Sequence, residues 1–504
     1  MAIDPGLRRL ILRTLLPAFP GLTPPRWALD LVAEGVGGYV IFYYNIRDDE
    51  QLTTLTAKLR EANPGVLLSL DEEGGDVTRL GHVAGSPYPG NAALGAIGDP
   101  ALTERIYRAI GEDLLATGFN LNLAPSLDVN TSDDNPVIGT RSFGSDPARV
   151  AIQAAAAIAG LQSVGVAACA KHFPGHGSTD SDSHHELPTV DVPLDVLRER
   201  DLAPFAAAIK AGTQAVMTAH IRVPVLTGDL PATFSSAALV DLLRGEMGFD
   251  GVVVSDALDM KAAAAIAGST AKAAPRALLA GSDLLCVGGE VDQELVEATI
   301  SEIAAAVDEG WLPTARLEDA AEQVAALSRW ARAAGGVTAA GGVTTAGDAR
   351  GAGASQRSTA GADGIGYGAA RRAVRVEGSL SGLGGPLVVQ LAEKDVNMAV
   401  GDVPWGLGPH LNGTEQLRVS ADTTIDEVRA AAGTRPIVVV GRNLHRVPGA
   451  STLIESLAAT NPVVAVEMGW PSAWRPSGVR AFVSTYGASR ANGWAAADAL
   501  GLTH

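Results

Sequence analysis

The sequence predicts an α/β protein in which a parallel (β/α) barrel is followed by a smaller α/β region. Two observations predict it: short apolar runs alternate with amphipathic stretches between residues 35 and 289, and ionisable residues gather where those runs end. The strand candidates are 38–42, 66–70, 121–127, 164–170, 215–218, 251–255 and 283–287, with an eighth expected from the region 10–15. Between them, 102–116, 147–162, 194–211 and 293–307 carry the spacing of amphipathic helices. Near-continuous apolar strands separated by helices imply a parallel sheet covered on both faces. Seven or eight such units make a barrel the leading architecture. The polar ends are Asp71-Glu72-Glu73, Asp128, Lys171-His172, His220 and Asp256, at the C-terminal strand ends where barrel enzymes place their sites. A doubly wound sheet would place its site similarly, so this clustering argues for a site rather than for closure.

Residues 1–333 are read as the barrel, 334–366 as a linker rich in Gly, Ala, Ser and Thr, and 367–504 as a second domain. That domain has strand candidates at 387–391, 437–440, 463–466 and 482–485, which suggest a small open sheet with flanking helices. A chain of 504 residues, 47% hydrophobic, suffices for two cores. The formal charge of −18 argues against nucleic acid or an anionic membrane as partner. Cys169 and Cys286 lie in apolar runs and give neither a disulfide framework nor metal-ligand spacing. The opening LRRLILRTLLPAF resembles a leader, but Arg13 interrupts it and no small-residue cleavage site follows, so a cytoplasmic protein is expected.

The loop KHFPGHGSTDSDSH, residues 171–184, leaves a buried strand and turns rich in Gly, Ser and Pro. Asp182 and His184 stand two apart, so an extended segment projects both from one side, about 7 Å apart along the chain. A modest turn joins carboxylate and imidazole, raising the imidazole pKa from about 6.5 toward working pH. Such a group gives a proton and later takes one. His172, His176, His184 and His185 raise the question of zinc, but they lack the spacing of a helical His-Glu-x-x-His site, and no metal or other cofactor is expected. His176 reads as a loop anchor and His185 as exposed. Asp256 follows the buried run 251–255 and faces the barrel mouth; as a helix cap it competes with Asp259, which suits the cap better and leaves Asp256 to react. Asp71, Arg79 and Arg141 suit sugar hydroxyls, to which charged groups make strong hydrogen bonds, although either Arg also serves as an ion-pair partner for Asp71 or Asp128.

Together KHFPGHG with Asp182-Ser183-His184, DEEGGDVTRL, IGTRSFG and GFDGVVVSDAL resemble family 3 glycoside hydrolases, specifically their β-N-acetylglucosaminidase branch, over most of residues 1–335. The resemblance implies a (β/α)8 TIM-type barrel followed by a smaller α/β sandwich domain, the latter carrying Val483-Ser484-Thr485-Tyr486-Gly487. It implies a retaining exo-β-N-acetylglucosaminidase with Asp256 as nucleophile and Asp182 with His184 as acid/base dyad. Asp71, Arg79, Arg141, Lys171 and His172 would then hold the terminal N-acetylglucosamine of a peptidoglycan or chitin fragment. A phosphorylase using phosphate as acceptor, or a dual β-glucosidase/β-N-acetylglucosaminidase, shares the first step. The chain departs from the family pattern at Asp76, where Arg is common, at Ser178, and at Ala257, which removes a carboxylate beside Asp256 and its like-charge repulsion.

Overall fold

Eight parallel strands build the first half of the protein: β1 (Leu15–Leu16), β2 (Gly38–Val40), β3 (Leu67–Leu70), β4 (Leu121–Asn122), β5 (Ala167–Phe173), β6 (Ala215–Thr218), β7 (Val252–Val254) and β8 (Leu285–Cys286). Strands β2 to β7 pair in sequence order, and β1 pairs with β8. The two sheets join into a closed ring. Ser255 N donates to Leu284 O at 2.9 Å and Asp283 N to Val253 O at 2.8 Å, linking β7 to β8, while Val40 N donates to Pro17 O and Gly37 N to Leu12 O, both at 3.0 Å, linking β1 to β2. Closure leaves no unpaired edge, and β7 shows what the strands are made of. Its three valines are buried, and each β-branched side chain fits the pleat while its burial is worth roughly 1.5–3 kcal/mol.

This computed structural model describes residues 3–183, 186–340, 364–392, 397–420 and 423–503. They fall into two units, Met1–Glu72 with Pro100–Asn135 and Ser145–Gln356, and Glu73–Asp99 with Pro136–Gly144 and Arg357–His504. Among the described residues no helix is long and apolar enough to cross a membrane. The second unit holds a six-stranded sheet of β9 (Arg375–Gly378), β10 (Leu387–Leu391), β11 (Gln416–Val419), β12 (Ile437–Gly441), β13 (Val463–Glu467) and β14 (Ala481–Ser484). Its order is β11-β10-β12-β13-β14-β9, parallel except for β9 at one edge. Alternate residues enter two cores: Val438, Val440, Val464 and Val466 pack with Ala496 and Leu500, and Ile437, Val439, Val463 and Ala465 with Val428 and Ile454. Both faces are covered, which explains unbroken apolar runs where a half-exposed sheet would alternate.

Several boundaries differ from the sequence reading. The eighth strand occupies only Leu15–Leu16, because Pro5–Arg13 is a helix capped by Asp4, whose side chain accepts from Gly6 N and Leu7 N. β5 runs through Phe173, so Lys171 and His172 lie within the strand rather than after it. The helix Thr314–Ala340 continues into the stretch expected as linker. Residues 341–363 of that stretch lie outside the described residues.

Candidate active site

The C-terminal end of the barrel is built from side chains that enforce one another's positions. Asn122 of β4 pins the residue after Asp71, accepting from Glu72 N at 3.0 Å and donating to Glu72 O at 2.8 Å. Asp71 thereby meets β5, where Lys171 Nζ lies 2.7 Å from its Oδ1; the Lys171 side chain is only 2% exposed, that of Asp71 19%. Burying an ammonium group costs far less when a carboxylate meets it, and Asp71, the more exposed of the two, supplies that carboxylate.

His172 is oriented from β4. Its Nδ1 donates to Asp128 Oδ2 at 2.7 Å, since a carboxylate only accepts. Asp128 is buried and also accepts from Ser126 Oγ at 2.9 Å and from the His176 amide at 2.6 Å. Burial opposes its ionisation, but the charge and hydrogen bond of His172, together with His176, outweigh burial and hold the carboxyl well below the usual range.

The PGHG turn follows from space. Gly175 has φ +125°, a left-handed value, and a Cβ there would sit 2.7 Å from Asp201 Cβ; at Gly177 it would sit 2.0 Å from Val129 O. His176, between them, anchors the loop with both ring nitrogens. Thr179 Oγ1 donates to His176 O at 3.0 Å, so it accepts from Nδ1–H at 2.7 Å, which leaves Nε2 to accept from Ser183 Oγ at 3.2 Å. His176 is thus a loop anchor, as its place in the sequence suggests. Both of its nitrogens face hydroxyls, and among the described residues no group of three or more His, Cys, Asp or Glu could hold a metal ion. Farther along, Asp182 O accepts from Glu186 N at 3.1 Å. Asp182 is half-buried; His184 and His185 lie outside the described residues.

Burial pushes the His176 imidazole down to about 4, against the pull of Asp128. A histidine neutral in the fold but charging near pH 6.5 when unfolded must cost stability as pH falls from about 6.5 through 4. Denaturation midpoints measured across that window are expected to fall less steeply for His176→Gln than for the unsubstituted protein; parallel slopes would contradict the assignment.

Asp256 sits half-buried just beyond β7, with Oδ1 accepting from Ala257 N at 2.8 Å. Neither aspartate caps the helix Lys261–Ala267, whose N-cap is Met260 without a side-chain bond. The expectation for Asp259 is corrected here: its Oδ2 instead accepts from Gly289 N at 2.8 Å, because the left-handed turn at Gly288 presents that amide to it. Electrostatics tie the strand ends together. Burial pushes the Cys169 thiol up to about 12, and the charges of Lys171, Asp71 and Asp256 all act on it. Cys286 is raised by burial, then by Asp256, Asp259 and Asp71.

Arg79 and Arg141 belong to the second unit. Arg141 makes a buried two-pronged pair with Glu73, Nε to Oε2 at 3.0 Å and Nη2 to Oε1 at 2.7 Å, and Arg79 Nη2 donates to Ala399 O at 3.0 Å. Glu73 takes Arg141, while Lys171 meets Asp71 and His172 meets Asp128. Glu73 was hidden among three consecutive acids, with no spacing signal to single it out.

Residues 27–327 match the model of the glycosyl hydrolase family 3 N-terminal domain. The chain belongs to glycosyl hydrolase family 3. It is 38% identical over 308 residues to a β-hexosaminidase of Chromobacterium violaceum, spanning 59% of this chain and 83% of that one. It is 37% identical over 259 residues to β-hexosaminidase A of Pseudoalteromonas piscicida, which covers 47% of this chain but only 43% of that longer protein. A family 3 β-N-acetylglucosaminidase from Paenibacillus sp. superposes with a TM-score of 0.86 at 32% identity, covering 100% of this chain and 97% of that one. Against the family pattern Asp76 now has a use: within the second unit, Oδ2 accepts from Thr140 Oγ1 and Oδ1 from Ala488 N, both at 2.7 Å. Ser178, the second departure, accepts from Arg200 Nη2 at 3.0 Å and so ties the loop to the helical segment behind it.

Proposed function

We propose that this protein is a retaining exo-β-N-acetylglucosaminidase that removes terminal β-linked N-acetylglucosamine through a covalent glycosyl-enzyme intermediate. The observation that carries the reading is the placement of the Asp256 carboxylate at the tip of β7, at the same barrel end as the Lys171–Asp71 and His172–Asp128 pairs. The names of the relatives, β-hexosaminidases and a β-N-acetylglucosaminidase, support the sugar class.

In this mechanism Asp256 attacks the anomeric carbon as the aglycone oxygen takes a proton from His184, whose ring Asp182 orients; the loop's anchoring through His176 supports that role. Neutral His184 then takes the proton of a water that displaces Asp256, returning the β-anomer. Asp71, Lys171 and His172 are assigned to the sugar hydroxyls and acetamido group. In this reading the catalytic barrel lies within residues 1–333, of which 73–99 and 136–144 group with the C-terminal unit. Soluble peptidoglycan or chitin fragments in the cytoplasm are the substrates proposed.

The test is to incubate the enzyme with an N,N′-diacetylchitobiose substrate in the presence and absence of phosphate. Free N-acetylglucosamine, at a rate independent of phosphate, is expected. A sugar 1-phosphate as the main product would instead make phosphate the acceptor.

A further inference from the structure

The backbone that carries Asp256 is clamped from β6 by residues that no step above uses. Asp256 N donates to Thr218 Oγ1 at 3.4 Å. Thr218 Oγ1 lies 2.9 Å from Thr233 Oγ1, and Thr233 Oγ1 lies 2.8 Å from His220 Nδ1. The ring closes where His220 Nε2 meets Ala257 O at 2.9 Å. A carbonyl oxygen only accepts, so Nε2 carries a proton and donates it there. From the other side, Leu258 N donates to Cys286 O and Ser255 N to Leu284 O, both at 2.9 Å. The carboxylate oxygen Oδ1 itself accepts from Ala257 N, so its direction follows the peptide that His220 and Thr218 bracket.

We propose that His220 is a positioning residue for Asp256, fixing the carboxylate's aim through the Ala257 carbonyl and the two threonine hydroxyls. His220, Thr218 and Thr233 are each buried without measurable exposure, which places their chemistry behind the reacting groups. Thr233 Oγ1 also donates to Ala219 O at 3.0 Å, and losing one member of such a buried ring leaves its partners unpaired. The inference rests on the assignment of Asp256 as nucleophile, because aim matters only for a group that attacks.

The experiment compares 4-nitrophenyl N-acetyl-β-D-glucosaminide hydrolysis by wild type, His220→Ala, His220→Gln and Thr233→Val. Misplacing a reacting group by about 1 Å costs on the order of 10²-fold, so His220→Ala is expected to lose about that factor in kcat with KM nearly unchanged. His220→Gln, whose amide NH2 can donate to the Ala257 carbonyl, should recover about tenfold of the loss. Thr233→Val keeps shape and breaks the ring; it should lose about tenfold in kcat, and it carries the test if His220→Ala does not fold. The shape of the kcat/KM pH profile should be the same in all variants, since His220 transfers no proton. Full activity in His220→Ala, a rise in KM alone, a missing limb of the pH profile, or equal impairment of Ala and Gln would each overturn the proposal. A wild type that does not cleave the substrate at all would instead overturn the assigned activity.

Discussion

Asp256→Ala is expected to lower turnover of an aryl N-acetyl-β-glucosaminide by about 10⁴-fold or more, the scale on which removal of a covalent nucleophile acts. The loss should come without unfolding. Asp256 is half-buried, the helix after it takes its cap from Met260, and β7 stays locked to its neighbours through main-chain bonds from Val252 N to Gln214 O and from Asp283 N to Val253 O. Small anions provide a second check. Azide can enter the space left by the carboxylate and attack the sugar from the face Asp256 used, so the variant should make the α-glycosyl azide that the intact enzyme cannot. Product anomers followed by NMR would show it. Turnover within tenfold of wild type would remove Asp256 from the mechanism.

Asp128→Ala should damage stability and activity together. The carboxylate is buried and holds Ser126 Oγ, His172 Nδ1 and the His176 amide. Taking away one partner of a buried charged network costs about 3–5 kcal/mol, because the remaining groups are left without compensation. Ring orientation of His172 and the anchoring of the PGHG turn would be lost together, so activity should fall by about 10²-fold or more even below the melting transition. The pH sign also follows. Asp128 has a depressed folded pKa, so its contribution is present above the unfolded value of about 3.9 and is lost as pH falls through the lower folded value. The stability gap between wild type and variant, read from the barrel's thermal transition, should therefore be flat above pH 4 and narrow in stronger acid. A gap that instead widens on acidification would mean the carboxyl is not ionised in the fold.

How much of this was written in the chain differs from element to element. β7, β12 and β13 were legible because strands buried on both faces carry unbroken runs of Val, Ile or Ala. β9 and β11 were not: RVEG is exposed along its whole length and QLRV buries only Val419, because edge strands carry polar residues. The assignment of 73–99 and 136–144 to the second unit was equally unreadable, since it depends on long-range bonds such as Asn397 Nδ2 to Pro136 O at 3.1 Å rather than on local pattern. Within the site, ionisable residues at strand ends marked Asp71, Asp128, Lys171, His172, His220 and Asp256 as candidates. Their pairings were not marked. Which carboxylate meets which base depends on the barrel's register, as when Ser126 bridges to Lys171 and brings Asp128 beside His172. His220 stood at a strand end with the others, yet only the ring through Thr233 and Ala257 gives it a task.

The nucleophile can be tested most directly by trapping it. A fluorinated N-acetylglucosaminide with a good leaving group slows the second step more than the first, so the glycosyl-enzyme accumulates. Peptide mapping by mass spectrometry should then find one sugar attached to the peptide containing Asp256 and no label in Asp256→Ala. A stoichiometric label on any other side chain, or turnover that releases the α-anomer with no label at all, would contradict the account.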